Sequence, residues 1–208
     1  MLIGISGKKL SGKNEVADML SFLLFKKGTY QQYREAKDIR QTFLKAKDYK
    51  NAELTLPNIH SFAANLKKCV AACTGINFHD LEDRNVKSSK ISWMDISYRK
   101  LLQEFGEGIR QTVDKNFWVN SLLSQYDNSQ NWIISDVRYV EEANAILDRD
   151  GILIRVNRDT GFYDIHISEI SLDDFENFGY VIDNNDKSLE DLFNECNYIV
   201  EYIINWKY

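Results

Sequence analysis

The first 24 residues hold the pattern that most constrains how this chain folds. Leu2, Ile3 and Ile5 give a short apolar strand, and a loop with two glycines follows at residues 7–13. Apolar residues then recur at helical spacing. They are Val16, Met19, Leu20, Leu23 and Leu24. A strand, a glycine-rich loop and an amphipathic helix in this order predict an α/β fold in which the loop joins a sheet to a flanking helix.

The loop has the spacing Gly-x-x-x-x-Gly-Lys, which is typical of loops that bind phosphate groups. Glycines let backbone N–H groups approach an anion, and the helix start adds the positive end of a dipole. Lys13 supplies a charge that reaches the β- and γ-phosphates of a nucleotide. The predicted phosphate contacts are Gly7, Lys8, Ser11, Gly12, Lys13 and Asn14. The alternative is a glycine-rich turn that binds nothing, and the strand–loop–helix context favours nucleotide binding.

Asn14 departs from the usual form of this loop. A Ser or Thr normally follows the lysine and contacts Mg²⁺, whereas this chain has Asn14 and then Glu15. An amide oxygen is a weaker magnesium ligand than the usual arrangement, so we expect Asn14 to contribute weakly to any metal site.

Length and charge limit the classes of protein to which this chain can belong. At 208 residues we expect one domain over residues 1–208, with a possible inserted lid or helical segment at residues 28–58. The net charge of −5 disfavours binding to a nucleic acid polymer. No apolar run approaches the length of a membrane span, and no secretory signal opens the chain, so we expect a cytoplasmic protein without membrane contact.

The segment at residues 28–58 is rich in Lys, Gln, Tyr and Asp. Residues 33–49 read as a charged helix with Ile39, Phe43 and Leu44 as its apolar stripe, which fits a lid or a solvated surface helix equally well. Residues 81–93 read as polar and irregular.

The three cysteines are interpreted as buried thiols. Cys69 and Cys73 lie four residues apart on a predicted helix, and Cys196 lies on another. No histidine or second cysteine pair has zinc-like spacing, so we do not expect them to bind metal.

A second informative helix is predicted over residues 97–111. Its apolar residues are expected to face a core, and they are Leu101, Leu102, Phe105 and Ile109. Arg99, Gln103 and Arg110 fall within a narrow arc of the other face, which suits an anionic, hydrogen-bonding ligand or a solvated polar surface. Gly106 would allow a base or sugar to approach closely.

Two apolar strands further along the chain predict a parallel sheet. Residues 131–136 and 152–156 flank a helical pattern, which makes a strand–helix–strand unit. Ligands bind beyond the carboxyl ends of strands in such sheets. Asp136 and Arg138 stand at one end and Arg158 follows the next. An aspartate there can hold magnesium-bound water or a substrate hydroxyl, and an arginine can clamp a phosphate.

These residues together resemble the bacteriophage deoxynucleoside monophosphate kinases, which have the P-loop nucleoside monophosphate kinase fold. The likeness covers most of the chain apart from residues 28–58. It rests on SGKKLSGK (residues 6–13), SFAANLK (61–67), RKLLQEFG (99–106), NFWV (116–119), ISDVR (134–138), HISE (166–169) and VIDNND (181–186). The family commonly has an acidic residue where this chain has Asn14, and often Thr where it has Glu15.

The resemblance implies a three-layer α/β P-loop kinase, with a mainly parallel sheet flanked by helices. It also implies ATP-dependent and Mg²⁺-dependent phosphoryl transfer to a deoxynucleoside monophosphate, in the host cytoplasm if a phage encodes the chain. Lys13, Asp136 and Arg138 would act in catalysis. The acceptor site would be lined by Lys67, Arg99, Gln103, Gly106, Arg110, Trp118, Asp136 and Arg138.

Two alternatives stay open at this point. Animal-type phosphomevalonate kinases are similar in residues 6–9, 135–138 and 177–179. A nucleotide-binding module without catalysis is the other, and Asn14 is the feature that favours it. The sequence does not decide which base is accepted or whether the chain forms a homodimer.

Overall fold

A computed structural model of the chain describes residues 1–161 and 166–206. The chain forms two compact units. The sheet unit consists of residues 1–60 together with the described residues from 127 to 206, and the helical unit consists of residues 61–126. The organisation as one domain stays a prediction.

A five-stranded parallel sheet organises the sheet unit. The strands are β1 (Leu2–Gly7), β2 (Ile59–His60), β3 (Trp132–Val137), β4 (Ile152–Asn157) and β5 (Tyr180–Asp183). Their order is β2-β3-β1-β4-β5, and every neighbouring pair is parallel. Leu2 pairs with Trp132 in β3, and Ile3 pairs with Ile152 in β4, so β1 lies at the centre. The predicted α/β fold class is confirmed.

The helices surround this sheet or build the helical unit. They are α1 (Lys13–Phe25), α2 (Tyr30–Lys45), α3 (Tyr49–Thr55), α4 (Ala63–Thr74), α5 (Arg84–Ser88), α6 (Tyr98–Thr112), α7 (Phe117–Leu123), α8 (Val140–Leu147), α9 (Ile167–Ile170) and α10 (Leu189–Trp206). Among the described residues, no helix is both long and apolar enough to cross a membrane.

The core of the sheet unit lies where α1 and α10 pack together and against the sheet. Apolar residues recur at helical spacing in both helices, and most of them point into the core. The buried ones include Val16, Met19, Leu20, Leu23, Leu192, Phe193, Cys196 and Val200. Leu189 and Val140 are apolar but exposed, because each lies in the first turn of its helix at the edge of the core.

Helix α2 presents a different face to the core from the one its sequence predicted. Its buried residues are Tyr33 and Ala36, whereas Ile39 is 51% exposed. The Tyr33 ring packs against the rings of Phe22 and Phe193, with centroids 5.7 and 5.5 Å away. Of the predicted stripe, Ile39 is exposed, and Phe43 and Leu44 are half-buried. The prediction was therefore wrong for Ile39, because an aromatic cluster contributed by α1 and α10 decides which face is fully buried.

Helices α2 and α3 together account for most of residues 28–58. The side chain of Thr29 accepts a hydrogen bond from Gln32 N–H, and Gln32 accepts one in return, which forms a capping box. This cap begins α2 at Tyr30, three residues earlier than predicted.

The helical unit corrects a second expectation. Residues 81–93 were predicted to be irregular, but they include the end of a 3₁₀ turn at Phe78–Glu82 and all of α5. The Asp83 side chain caps α5 by accepting hydrogen bonds from two backbone N–H groups, and Leu81 and Ile91 are buried.

Apolar residues on α4 and α6 are less buried than expected. Cys69 and Cys73 are exposed, because the buried residue of α4 is Val70 on another face. The predicted apolar stripe of α6 is half-buried, and Gly106 is the buried residue of that helix. Cys196 is buried as predicted, and burial raises the pKa of its thiol.

The new assignment of the inward face of α2 can be tested by stability measurements. Tyr33→Ala should lower the free energy of unfolding by about 4 kcal/mol, because it removes a buried aromatic ring. Ile39→Ala, on the exposed face of the same helix, should change it by less than about 0.5 kcal/mol. Chemical denaturation of both variants checks this, and a larger loss for Ile39→Ala would contradict the assignment.

Candidate functional site

The candidate site lies at the carboxyl edge of the sheet. Because the strands are parallel, the residues that end them meet at one edge. Strand β1 runs into the phosphate loop, residues 7–13, and β3 ends beside Asp136 and Arg138.

Two glycines are required by the shape of the loop. Gly7 has φ 154°, and a β-carbon there would lie 2.4 Å from the carbonyl oxygen of Val156. Gly12 has φ 102°, and a β-carbon there would lie 2.6 Å from Nδ2 of Asn184. Any larger residue would collide with a neighbour, so both positions need glycine. Gly12 is the N-cap of α1, and no side chain of the described residues caps the helix start.

Lys13 is buried within the loop. The residue is 8% exposed, and Nζ donates hydrogen bonds to the carbonyl oxygens of Gly7 at 2.5 Å and Lys8 at 2.6 Å. Burial, and then the nearby Arg138 guanidinium, lower the pKa of the Lys13 ammonium to about 8. A buried ammonium whose pKa is lowered favours an anionic ligand, because added negative charge restores the protonated form.

Ser11 provides an independent sign that the loop takes a ligand. Its Oγ is buried and has no hydrogen-bond partner among the described residues. Buried hydroxyl groups are normally hydrogen-bonded, so an orphaned one in this loop fits a phosphate oxygen. The Ser11 carbonyl oxygen accepts a hydrogen bond of 2.8 Å from Asn184 Nδ2, and Asn184 is buried at the end of β5.

A second arginine, which the sequence analysis missed, lies beside the loop. Arg155 on β4 donates hydrogen bonds of 3.1 Å to Ser6 Oγ and to Asp173 Oδ1. The signal was present as one charged residue inside the apolar strand at residues 152–156. Arg155, unlike Arg158, is largely buried.

Two acidic residues after β4 were also missed. Glu169 accepts hydrogen bonds from the Lys9 backbone N–H and from Arg138 Nη1, and Asp173 accepts one of 2.8 Å from Lys8 Nζ. Only the order of residues in the HISE motif pointed to Glu169, since no local periodicity connects it to the loop.

Arg158 lies at the rim of a cleft near the loop. It is exposed, and the cleft has a volume of ≈ 240 Å³. The other residues that line it are Lys8, Arg155, Val156, Asn157, Asp159 and Asn185. This cleft extends the basic surface of the loop beyond the end of β4.

The predicted metal ligands are oxygen donors, but they do not form a ready-made metal site. Asn14 is exposed and Asp136 is half-buried. The neighbouring Glu15 accepts a hydrogen bond of 2.7 Å from Tyr33 Oη and forms an ion pair with Lys37. The described part of the chain contains no group of three or more His, Cys, Asp or Glu side chains that could hold a metal ion. The roles of Asn14 and Asp136 in metal binding stay predictions.

The remaining predicted site residues belong to the helical unit. Lys67 on α4 forms an ion pair of 2.6 Å with Glu82, and Arg99 and Gln103 lie half-buried on α6. Arg110, at the end of the same helix, donates to the Lys115 carbonyl oxygen at 3.4 Å.

Trp118 and Gly106 form a contact within the helical unit. Trp118 is buried, and its indole N–H donates a hydrogen bond of 3.0 Å to the Gly106 carbonyl oxygen. A β-carbon on Gly106 would lie 2.9 Å from Leu66, so packing between α4 and α6 accounts for a glycine at this position. The part of these residues in binding an acceptor stays a prediction.

The all-parallel sheet and the strand–loop–helix unit define the class of this protein as an α/β protein with the architecture of a P-loop kinase. The family model described as deoxynucleotide monophosphate kinase matches residues 37–196, about three quarters of the chain. The chain belongs to this family. A search of curated proteins gave no match.

The matched range adds two details to the sequence comparison. It includes residues 37–58, which lie in the segment that the sequence resemblance left out. It begins after residues 7–13, so the phosphate loop is an observation independent of the family match.

Asn184 should determine how stably the loop is held. Asn184→Asp replaces an amide donor by a carboxylate that faces the Ser11 carbonyl oxygen, which should cost about 2 kcal/mol of unfolding free energy. Asn177→Asp makes the same chemical change at an exposed position and should cost less than about 0.5 kcal/mol. Equal effects in thermal or chemical denaturation would show that the contact between Asn184 and the loop does not contribute to stability.

Proposed function

We propose that this chain transfers the terminal phosphoryl group of ATP to a deoxynucleoside monophosphate, giving the diphosphate and ADP. The observation that carries this proposal is the buried Lys13 ammonium, held in a loop that also leaves the Ser11 hydroxyl without a partner. Membership of the family supplies the acceptor class, and the loop supplies the reason for a triphosphate donor.

The phosphate loop would bind the donor. Gly7 and Gly12 allow the backbone to approach the phosphates, while Lys13 and Lys8 supply charge and Ser11 supplies a hydroxyl. Phosphoryl transfer asks little covalent chemistry of a protein, which must align donor and acceptor, exclude water and neutralise charge. Lys13 and Arg138 would neutralise the charge that develops on the transferred group.

Asp136 would orient the acceptor phosphate or the water shell of a magnesium ion. When bound, Mg²⁺ would supply positive charge that offsets the negative charge of the phosphates. Asp136 and Asn14 carry the carboxylate and amide oxygens that this ion accepts, so the residues present fit it. Since Glu15 is held by Tyr33 and Lys37, we do not assign it to the metal.

The helical unit would bind the acceptor. Lys67, Arg99 and Arg110 suit a monophosphate, and the amide of Gln103 suits the edge of a base. Trp118 and Gly106 would act indirectly, because the hydrogen bond between them fixes α6, which carries Arg99 and Gln103.

A coupled assay of ADP release tests the proposal. ATP and Mg²⁺ are supplied with each deoxynucleoside monophosphate in turn, and phosphomevalonate serves as the control acceptor. Turnover with one or more nucleotides supports the proposal and identifies the base. Turnover with phosphomevalonate alone would overturn it, and ATP binding without turnover on any acceptor would favour a nucleotide-binding module.

Lys13 is the residue whose loss should affect turnover most. Lys13→Ala should lower kcat about 100-fold or more, because it removes one of the main groups that stabilise the negative charge of the transition state. Lys26→Ala removes an exposed lysine just beyond the other end of α1 and should leave kcat within about twofold. Near-normal turnover by Lys13→Ala would contradict the role assigned to this lysine.

The pKa of Lys13 also predicts how activity depends on pH. The ammonium is the active form, and in the ligand-free protein its pKa is about 8, below the usual 10.5. The value of kcat/KM for ATP should therefore be highest below pH 8 and fall as the pH rises through that value, since kcat/KM reports the free enzyme.

Bound phosphates raise the pKa of a neighbouring ammonium, so the corresponding fall in kcat should occur at higher pH. A pH–rate series for both parameters checks this. A value of kcat/KM that does not change between pH 7 and 9.5 would contradict the assignment.

A further inference from the structure

The carboxylate of Glu169 lies against the phosphate loop. Its Oε2 accepts a hydrogen bond of 2.8 Å from the Lys9 backbone N–H, and its Oε1 accepts one of 2.5 Å from Arg138 Nη1. The Glu169 side chain is 9% exposed. The Glu169 carboxylate therefore already binds two groups that are suited to phosphate. One is the Lys9 backbone N–H in the loop, and the other is Arg138, which the proposed function assigns to phosphate binding.

The chain around Glu169 is attached to the loop at a second point. Asp173 accepts hydrogen bonds from Lys8 Nζ at 2.8 Å and from Arg155 Nη2 at 3.1 Å. The four donors in these contacts are three basic side chains and one backbone N–H, and all lie in the loop, on β4 or just after β3. Each contact joins an acid to a donor suited to phosphate. The segment that carries α9 thus places the carboxylates of Glu169 and Asp173 against the loop.

We propose that Glu169 is an internal anion that occupies the phosphate site of the ligand-free chain and competes with the donor nucleotide for Lys9 N–H and Arg138. This inference rests on the proposed function, because it takes the loop to be the donor site. The Glu169 charge also opposes the effects of burial and of Arg138 on the pKa of Lys13, as a bound phosphate would.

Competition has a defined consequence for binding. A ligand phosphate must break both contacts of Glu169 before it can use the same donors, and that cost weakens the observed affinity. Removal of the negative charge should therefore strengthen binding, which is the opposite of the usual effect of a mutation in a binding site.

The experiment measures binding of inorganic tripolyphosphate and of ATP, without acceptor, by isothermal titration calorimetry. Glu169→Gln should lower both dissociation constants about tenfold, because its amide no longer competes as a charged acceptor for the same donors. Asp174→Asn makes the same change in charge at an exposed position nearby and should leave them within about twofold.

Stability of the ligand-free protein gives a second readout. Glu169→Gln should lower the melting temperature without ligand and increase the rise caused by tripolyphosphate. If that variant does not fold, Glu169→Asp replaces it, since a side chain one methylene shorter spans the two donors less well and should strengthen binding to a smaller extent.

The outcomes separate this inference from the proposed function. Tripolyphosphate that binds the unchanged protein but binds Glu169→Gln equally or more weakly would overturn the inference alone. Failure of all variants to bind either ligand would overturn both. Stronger binding by Glu169→Gln supports the inference even if the kinase assay finds no acceptor.

Discussion

The candidate site is arranged around one buried positive charge, the ammonium group of Lys13. Lys13 is almost completely enclosed, and two carbonyl oxygens of the loop accept hydrogen bonds from its ammonium group. Taking an ammonium out of water is unfavourable unless it is paired, and its lowered pKa expresses that cost. The buried ammonium therefore lowers the stability of the ligand-free fold but creates a site that favours an anion. While no ligand is bound, the negative charge of the nearby Glu169 reduces this cost.

The parallel sheet makes this arrangement possible. The loop follows β1, Arg138 follows β3, and Arg155 lies on β4. Asn184 follows β5 and donates a hydrogen bond to the Ser11 carbonyl oxygen. Each residue comes from a different part of the sequence, and the common direction of the strands brings them to one edge. The arrangement of the site therefore follows from the parallel topology of the sheet.

The parts of the fold and of the candidate site that depend on local sequence patterns could be predicted. The loop, the unit from β3 to β4 and the inward face of α1 follow from periodicity and glycine spacing within single elements. The inward face of α2 could not be predicted, because Tyr33 is buried against Phe193, which is remote in sequence. The contacts of Glu169 and Asn184 with the loop likewise join residues more than 150 positions apart, and no pattern of period 2 or 3.6 encodes such a pairing.

The helix α2 offers a physical account of the unusual residues that follow the loop lysine. Glu15 is held by Tyr33 Oη and Lys37, and Asp18 one turn later pairs with Arg40 at 2.6 Å. Burial raises the pKa of Asp18, and the charge of Arg40 opposes that rise. Because its partners on α2 engage Glu15, the acid beside the loop serves to attach α2 to α1. On the proposed function, Asp136 and Asn14 would then be the residues of this chain that hold Mg²⁺, and water and the phosphate oxygens of the nucleotide would supply the remaining ligands.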